Sequence, residues 1–596
     1  MGSSRAIVVF AFLVVLAAPL VVRQVAPATG ALAKPPPANE RQTLIIVTPH
    51  IEQIRDEFGA AFAEWHARKY PGEPPVYVDW RVPGGTTEIL RLLQAVYQAQ
   101  YARGLAEIAV SDPAMAQSNA PPLDKVFPTG SIDFDLMFGG GSYDHTRLKT
   151  SSPPMSVCAD FSQAQLDEWF GENAIGAGQL YQDGRKKSGK PDDWQHWLGA
   201  ALSGFGIVYN RELIREAGLS EPVYFEDLCD YRYYRRVALA DARQSGSVAT
   251  LYDSILNESA SAEIEKAREQ IARRGLDAGE RGDQEIISEL IGEATGRGWD
   301  HGWRVLRELC ANAHGFAASS TYPPMAVSQG EALAGVCIDF YGRGQAQAVL
   351  ALGEDPDGGR VGYIDPPGRV FIDADPVSIL RGGPNPVLAR RFVEFCMSRQ
   401  GQALWQFPPT GTAAGQDNPR YDVGGASVPY GPRAGALRRM PARRDMYEPG
   451  WKEHFVDRQA DPFRAASRAP SQGWRDGMIV MMGCLGVDTA EELREAWEAL
   501  HRARESSSFP KETLAEMESL FYAMPTHAVR NEDGSTTDLI FTASNYKRIS
   551  ADTNRWRDPI RASEARIAYT AFFRDQYRKV AELGRRGERG VGGDSQ

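Results

Sequence analysis

Four short stretches of this chain gather residue types that could hold a ligand. His50 ends the run "LIIVTPH" (44–50), Thr86 and Thr87 follow Gly84-Gly85, Gly140 and Ser142 sit in "GGGS" (139–142), and Ser245-Gly246-Ser247 follows "VALADARQ" (237–244). Free backbone N–H groups and hydroxyls at helix starts suit an anion or a polar ligand, because the helix dipole and the unpaired donors point the same way. His50 adds a neutral nitrogen for a metal or, once protonated, a donor for an anion. Within its own stretch it reads equally as a cap on a surface turn. No H-E-x-x-H pair, no Gly-Lys-Ser/Thr phosphate loop and no G-x-S-x-G elbow accompanies these groups, so the chain reads as a binder and not an enzyme. Asp133/Asp135 and Asp373/Asp375 are spaced by two, which on a strand puts each pair on one face. Both pairs read mainly as structural, with Asp373 the better placed for a cleft.

The elements that must position these groups share one grammar. Leu44 to Val47 is a continuous apolar run, as in a strand buried on both faces, and Ile51, Ile54, Phe58, Ala61, Phe62 and Trp65 then recur at helical spacing. Thr48 is the expected cap, with Pro49 at the first helical position. Val76–Trp80, "IDFDLMF" (132–138) and "VALADAR" (237–243) are further strands, each running through Gly, Ser or Thr into a helix start. Four repeats of strand, small polar loop and helix predict a doubly wound α/β protein with a ligand cleft along one rim.

The chain has 596 residues and a formal net charge of −11, which predicts several folding units and argues against a nucleic-acid binder. Ala6 to Val22 is uncharged and apolar, followed by Ala31-Leu32-Ala33 as a small-residue cleavage site. Residues 1–33 therefore read as a signal peptide or an uncleaved membrane anchor, and the body as exported. Six Cys are scattered singly with no C-x-x-C pair, which gives no support for a thiolate metal cluster.

Together "TPHIEQI", "GGTTEI", "DLMFGGGSYD", "SGFGIVYNRELI", "VSQGEALAGVCIDFYGR" and "NPVLARRFVEFCMSRQGQALWQ", in this order over residues 42–407, resemble the extracellular solute-binding proteins of ABC importers, specifically the ferric-iron type. The resemblance implies a two-lobed, periplasmic-binding-protein-like (type II) α/β fold with a hinge. It implies a ligand held between the lobes and delivery to a membrane permease driven by a separate ATPase. It also implies a monomer. Residues 42–150 and the return segment 342–410 would form lobe 1, and 151–341 lobe 2. His50 matches the family's ligand histidine. Of two adjacent tyrosines only Tyr341 remains, beside Phe340, and Gly139–Gly141 stands where a carboxylate ligand is expected. Ferric iron favours anionic oxygen donors, so His50, Tyr341 and Asp339 would be the metal set, with Asp144 or a bound anion to compensate. A small polar or anionic solute suits the glycine loop at least as well. It would contact His50, Thr86, Thr87, Gly140 and Ser142 from one lobe and Ser245, Gly246, Ser247, Asp339 and Tyr341 from the other. Arg343, Gly344 and Arg369 lie near the implied rim, as an oxyanion clamp or as a hinge salt bridge. A tethered sensor built on the same fold is the alternative to a transport receptor.

Residues 258–300 are densely charged and read as solvated helices of the second lobe. "DYRYYRRV" (230–237) reads as a solvated surface whose long stems lie on apolar neighbours. Beyond residue 410 the resemblance ends. A Gly/Pro-rich stretch, an Arg cluster (433–445) and helical patterns at 489–505 and 566–583 make a partly helical C-terminal extension, 411–596, whose packing the pattern leaves open. Ala6–Val22 has no polar face with which to pack on a globular body. Deleting residues 1–33 is therefore expected to leave the melting temperature unchanged, and a large drop in a thermal melt would contradict this.

Overall fold

The structure, a computed structural model, describes residues 37, 40–112, 122–171, 182–183, 193–350 and 358–592; the N-terminal segment 1–33 lies outside them. Two mixed sheets form two lobes. The first contains β1 (Gln42–Val47), β2 (Val76–Arg81), β3 (Leu136–Phe138), β4 (Leu198–Ser203) and β10 (Asp373–Ile379), the second β5 (Phe205–Asn210), β6 (Val237–Ala240), β7 (Ala313–Ala317), β8 (Ala334–Ile338) and β9 (Val361–Ile364). Strand order is β4-β10-β3-β1-β2 in the first sheet and β7-β6-β8-β5-β9 in the second. β1 runs parallel to β2 and β3, and the returning β10 inserts antiparallel between β3 and β4. Leu44, Ile46, Val47 and Leu136 to Phe138 are buried, as their continuous apolar pattern requires. The architecture is a two-lobed α/β fold with a hinge, extended at its C-terminus by largely helical chain.

Between the sheets the chain crosses twice, at Gly204, the single residue between β4 and β5, and again between β9 and β10, and the C-terminal extension crosses a third time between Ala466 and Trp474. A Cβ on Gly204 would stand 2.9 Å from Val370 and 3.1 Å from Ile372, so the first two crossings touch each other there. This corrects the expected boundaries. The described residues of 151–203 stay with lobe 1, and those of 342–364, including β9, stay with lobe 2. A hinge made of one glycine between two apolar strands carries none of the composition shift that marks a linker.

The extension is divided between both lobes. Met440–Pro441 adds as a two-residue edge strand to β4, and Leu437, Met440, Ala442, Ala460 and Ala465 join the first lobe's core. From Trp474 onward the chain joins the second lobe's core: Met478, Leu493, Trp497, Leu500, Phe521, Tyr569, Phe573 and Tyr577 pack in one cluster with Leu306 and Leu309. Arg307, fully buried, donates to the carbonyls of Phe521 and Ala523 and so ties the two parts together. The helix pair Gly246–Arg274 and Arg281–Ala311 covers the charged stretch 258–300. Most of that stretch is solvated, but Trp299 is buried against Trp474, Phe541 and Tyr546 of the extension. In "DYRYYRRV" Arg232, Arg235 and Arg236 are exposed as expected, while the tyrosines pack: Tyr231 stacks on His501 at 3.5 Å and on Tyr234 at 5.0 Å, and Tyr233 is buried.

Trp497 is buried and donates Nε1–H to Asn312 at 2.9 Å. Replacing it with Ala removes a large buried side chain and orphans a buried amide. Trp497→Ala is expected to cost about 3–5 kcal/mol, seen as a lower urea midpoint for the second lobe. An unchanged midpoint would show that the extension does not complete that core.

Candidate functional site

Asp375 lies at the centre of the cleft-facing edge of lobe 1. The register of β10 on β4 shifts between Asp375 and Pro376, so that Asp375 faces Ala201 and Pro376 faces Gly199. Such a bulge re-aims side chains. It also leaves the Ala200 carbonyl out of the ladder, where Gln402 Nε2 and Trp405 Nε1 donate to it at 2.7 and 2.9 Å. The Asp375 carboxylate is almost fully buried. One oxygen accepts from the Gly140 N–H at 3.0 Å; the other accepts from His50 Nε2–H at 3.1 Å and pairs with Arg439. Gly139 and Gly140 have φ of +97° and +118°. A Cβ on Gly139 would fall 2.5 Å from His50 Nε2, so glycine is required for the imidazole to sit beneath the loop.

His50 is buried, and its ring lies edge-on to Phe138 at 4.5 Å. Burial first, then the charges of Arg439 and Arg55, hold its pKa well below the ordinary imidazole value. Its Nδ1 has no hydrogen-bond partner. Thr48 does not cap the following helix, which begins at Glu52 with Ile51 as N-cap. Its hydroxyl instead donates to the Phe138 carbonyl at 2.6 Å and accepts from the His50 N–H at 3.1 Å, fixing the turn that delivers the imidazole.

Arg439 crosses from the extension to the other lobe. Its guanidinium lies 3.9 Å from the Phe340 ring centroid and 5.9 Å from that of Trp405. Tyr341 packs on Phe340 with centroids 4.3 Å apart. Asp339, fully buried at the start of the helix Asp339–Ala348, accepts from Arg343 at 2.9 Å. Burial pushes the Asp339 carboxyl up to about 6 against the pull of Arg343. Burial likewise lowers Arg439, to about 10.

A second cluster lies nearer the helix starts. Ser142 N–H donates to Asp373 at 3.3 Å, and Thr86 hydrogen-bonds Asp144. Arg475, also from the extension, donates to the Gly246 carbonyl and the Thr250 hydroxyl, each at 2.6 Å, and lies over the Tyr143 ring of lobe 1 at 5.3 Å. Its charge is felt by Asp144, Asp253 and Asp373, whose carboxyls burial pushes upward, the last two to about 6.

His50, Thr86, Gly140 and Ser142 therefore share one rim, while Thr87 is exposed beside them. The glycine-loop N–H groups do meet carboxylates, but these are the chain's own Asp373 and Asp375. Ser245 caps its helix by accepting from Val248 N–H, and the Gly246 carbonyl faces Arg475. Ser247 is half-buried nearby. Among the described residues no group of three or more His, Cys, Asp or Glu is arranged for a metal ion. Arg343 pairs with Asp339 and Asp365, and Arg369 with Glu226 at 3.6 Å, so both act as salt bridges. The residues missed in the sequence are Arg439, Arg475 and Asp253. Only the Arg cluster at 433–445 hinted at the first.

On the hinge side of the cluster is a cavity of about 1460 Å³ between the lobes. Gln53 of lobe 1, Arg343, Gln347, Tyr363 and Asp365 of lobe 2, and Arg438 of the extension are among its lining residues. Arg438 is paired with Asp457 and reaches Gln347.

Asp253 is buried, with Oδ2 accepting from Asn257 Nδ2 at 3.0 Å and Oδ1 unpartnered. An acid whose pKa is raised by folding, here from 3.8 to about 6, keeps its proton longer in the fold. Its favourable contribution is present at low pH and is lost as pH climbs through that window. Asp253→Asn is expected to raise stability at pH 7 by on the order of 1–3 kcal/mol and to flatten the decline between those two values. Parallel melting-temperature profiles for wild type and variant would contradict this.

No family model and no curated protein matches the chain. The chain is similar to several solved structures. One is the periplasmic binding protein AfuA from Actinobacillus pleuropneumoniae with fructose-6-phosphate bound: 16% identity, 61% of this chain and 81% of that one covered, TM-score 0.36. Another is iron-bound HitA from Pseudomonas aeruginosa: 15% identity, 73% and 99% covered, TM-score 0.37. A third is the spermidine/putrescine substrate-binding protein PotD from Streptococcus pneumoniae: 13% identity, 61% and 80% covered, TM-score 0.36. These likenesses are distant, and the two-lobed fold stands on the chain's own strand order and its crossings.

Proposed function

We propose that this chain is the extracytoplasmic substrate-binding component of an ABC-type importer, which captures a small polar solute between its lobes and delivers it to a membrane permease. The observation that carries this reading is the cavity of about 1460 Å³ where lobe 2 meets Gln53 of lobe 1 and the extension that packs on lobe 1, in a fold whose lobes are joined by short crossings. A cavity of this kind closes and opens with the hinge, as a capture protein requires. The similar structures hold different solutes, fructose-6-phosphate in one and iron in another, so the ligand is argued from the lining alone.

Arg343, Arg438 and Arg211 each already face a carboxylate: Asp339 and Asp365, Asp457, and Glu221 respectively. Internal matching of these three charges favours a neutral or zwitterionic hydrogen-bonding solute over a bare ion at that part of the lining. Ferric iron is disfavoured as cargo because His50 Nε2 is engaged by Asp375, Asp339 is engaged by Arg343, and Phe340 stands where the second of the expected adjacent tyrosines would be. Tyr341 and Asp339 nonetheless remain within the cleft, beside Phe340 and Arg439.

Native mass spectrometry with metal analysis, on protein purified from its own host, tests this reading. The expected result is a stoichiometric small polar mass without iron. One iron per chain would overturn the ligand class. Gln347→Ala shortens a lining side chain and is expected to weaken binding of that solute roughly tenfold, read by calorimetry.

A further inference from the structure

Arg439 is placed as a bound ligand is placed. It enters the cleft from the segment that leads into the edge strand Met440–Pro441: Arg438, with φ of +63°, turns the chain so that its own side chain meets Asp457 and Gln347 while the next residue projects between the lobes. The guanidinium then meets groups from both lobes. Lobe 1 supplies the Asp375 carboxylate, His50 and the Trp405 ring; lobe 2 supplies the Phe340 face at 3.9 Å and the nearby Asp339 and Tyr341. A carboxylate opposite an aromatic face is the chemistry that selects a planar, weakly hydrated cation. The site is buried, and Arg439 itself is only 8% exposed. Two polar atoms in it, Arg439 Nε and His50 Nδ1, have no partner.

We propose that the centre of the interlobe cleft is a guanidinium-binding site occupied in cis by Arg439. The C-terminal extension thereby supplies a tethered ligand that holds the lobes together whatever solute the neighbouring cavity takes. Arg475 acts in the same sense at the other cluster, joining Gly246 and Thr250 of lobe 2 to the ring of Tyr143 in lobe 1. The cation that closes the cleft is covalently part of the chain, so closure needs no incoming ion.

The test is chemical rescue in the full-length exported body. Arg439→Ala removes the atoms of an ethylguanidinium ion from the site. The variant is expected to melt several degrees below wild type, and millimolar ethylguanidinium chloride should restore at least half of that loss along a saturable curve. Ethylammonium chloride at matched ionic strength should restore none, and wild type should gain nothing from either salt. In Arg439→Ala/Asp375→Asn the rescue should be lost. A linear, unsaturable response, an equal gain in wild type, or equal rescue by ethylammonium would overturn the proposal. If Arg439→Ala does not accumulate folded, refolding yield is read instead: a higher yield with ethylguanidinium than with ethylammonium supports the site, and equal yields refute it.

Discussion

A carboxylate buried between two lobes has to be satisfied by the protein, and Asp375 imposes that demand on everything around it. The unscreened cost of a buried anion is several kcal/mol, which explains the concentration of donors on one group: the Gly140 N–H, the His50 imidazole and the Arg439 guanidinium. Each donor in turn fixes a piece of fold. The glycine loop must adopt positive φ to offer its N–H, the turn at Thr48 must hold the imidazole under that loop, and the extension must pass along the β4 edge to bring Arg439 in. The bulge that aims Asp375 is itself stabilised, because Gln402 and Trp405 take up the carbonyl it frees.

This constraint changes what the rim of helix starts does. Free N–H groups in a glycine-rich loop attract an anion whatever its origin. Here the anions nearest them, Asp373 and Asp375, are internal. The cleft thus carries fixed negative charge on lobe 1 and receives positive charge from the extension through Arg439 and Arg475. The extension is the electrostatic counterpart of the cleft as well as the missing half of the second lobe's core. Without it, the helix Arg281–Ala311 would present Trp299, Trp303 and the Arg307 guanidinium to water.

The four strand-loop-helix units were legible because local periodicity and small polar residues mark them directly. β1 and β2 fall where the pattern puts them, while β3 keeps only Leu136–Phe138 of the expected 132–138, leaving Asp133 and Asp135 off the strand, and β6 only Val237–Ala240 of 237–243. His50, Thr86, Gly140 and Ser142 were legible as one rim for the same reason: each lies in the loop or helix start that follows a strand of one sheet. Three features were not legible. The lobe crossing is a single glycine between two apolar strands, with no linker composition. Capping by Thr48 was wrong because its hydroxyl had a better acceptor 90 residues away, the Phe138 carbonyl. The roles of Arg439 and Arg475 depend on contacts with residues far off in sequence, which no local pattern encodes. The expected solvation holds for most of 258–300 and for Arg232, Arg235 and Arg236, and fails at Trp299, Tyr231 and Tyr234, against which the extension packs.

The central claim is that the extension's arginines hold the lobes closed in the absence of solute. Small-angle X-ray scattering of solute-free wild type and of Arg439→Ala/Arg475→Ala tests it most directly. The account predicts a compact wild type, whose scattering matches the closed arrangement, and a variant with a larger radius of gyration and a longer maximum dimension. Identical scattering from the two proteins, or an already open wild type, would contradict it.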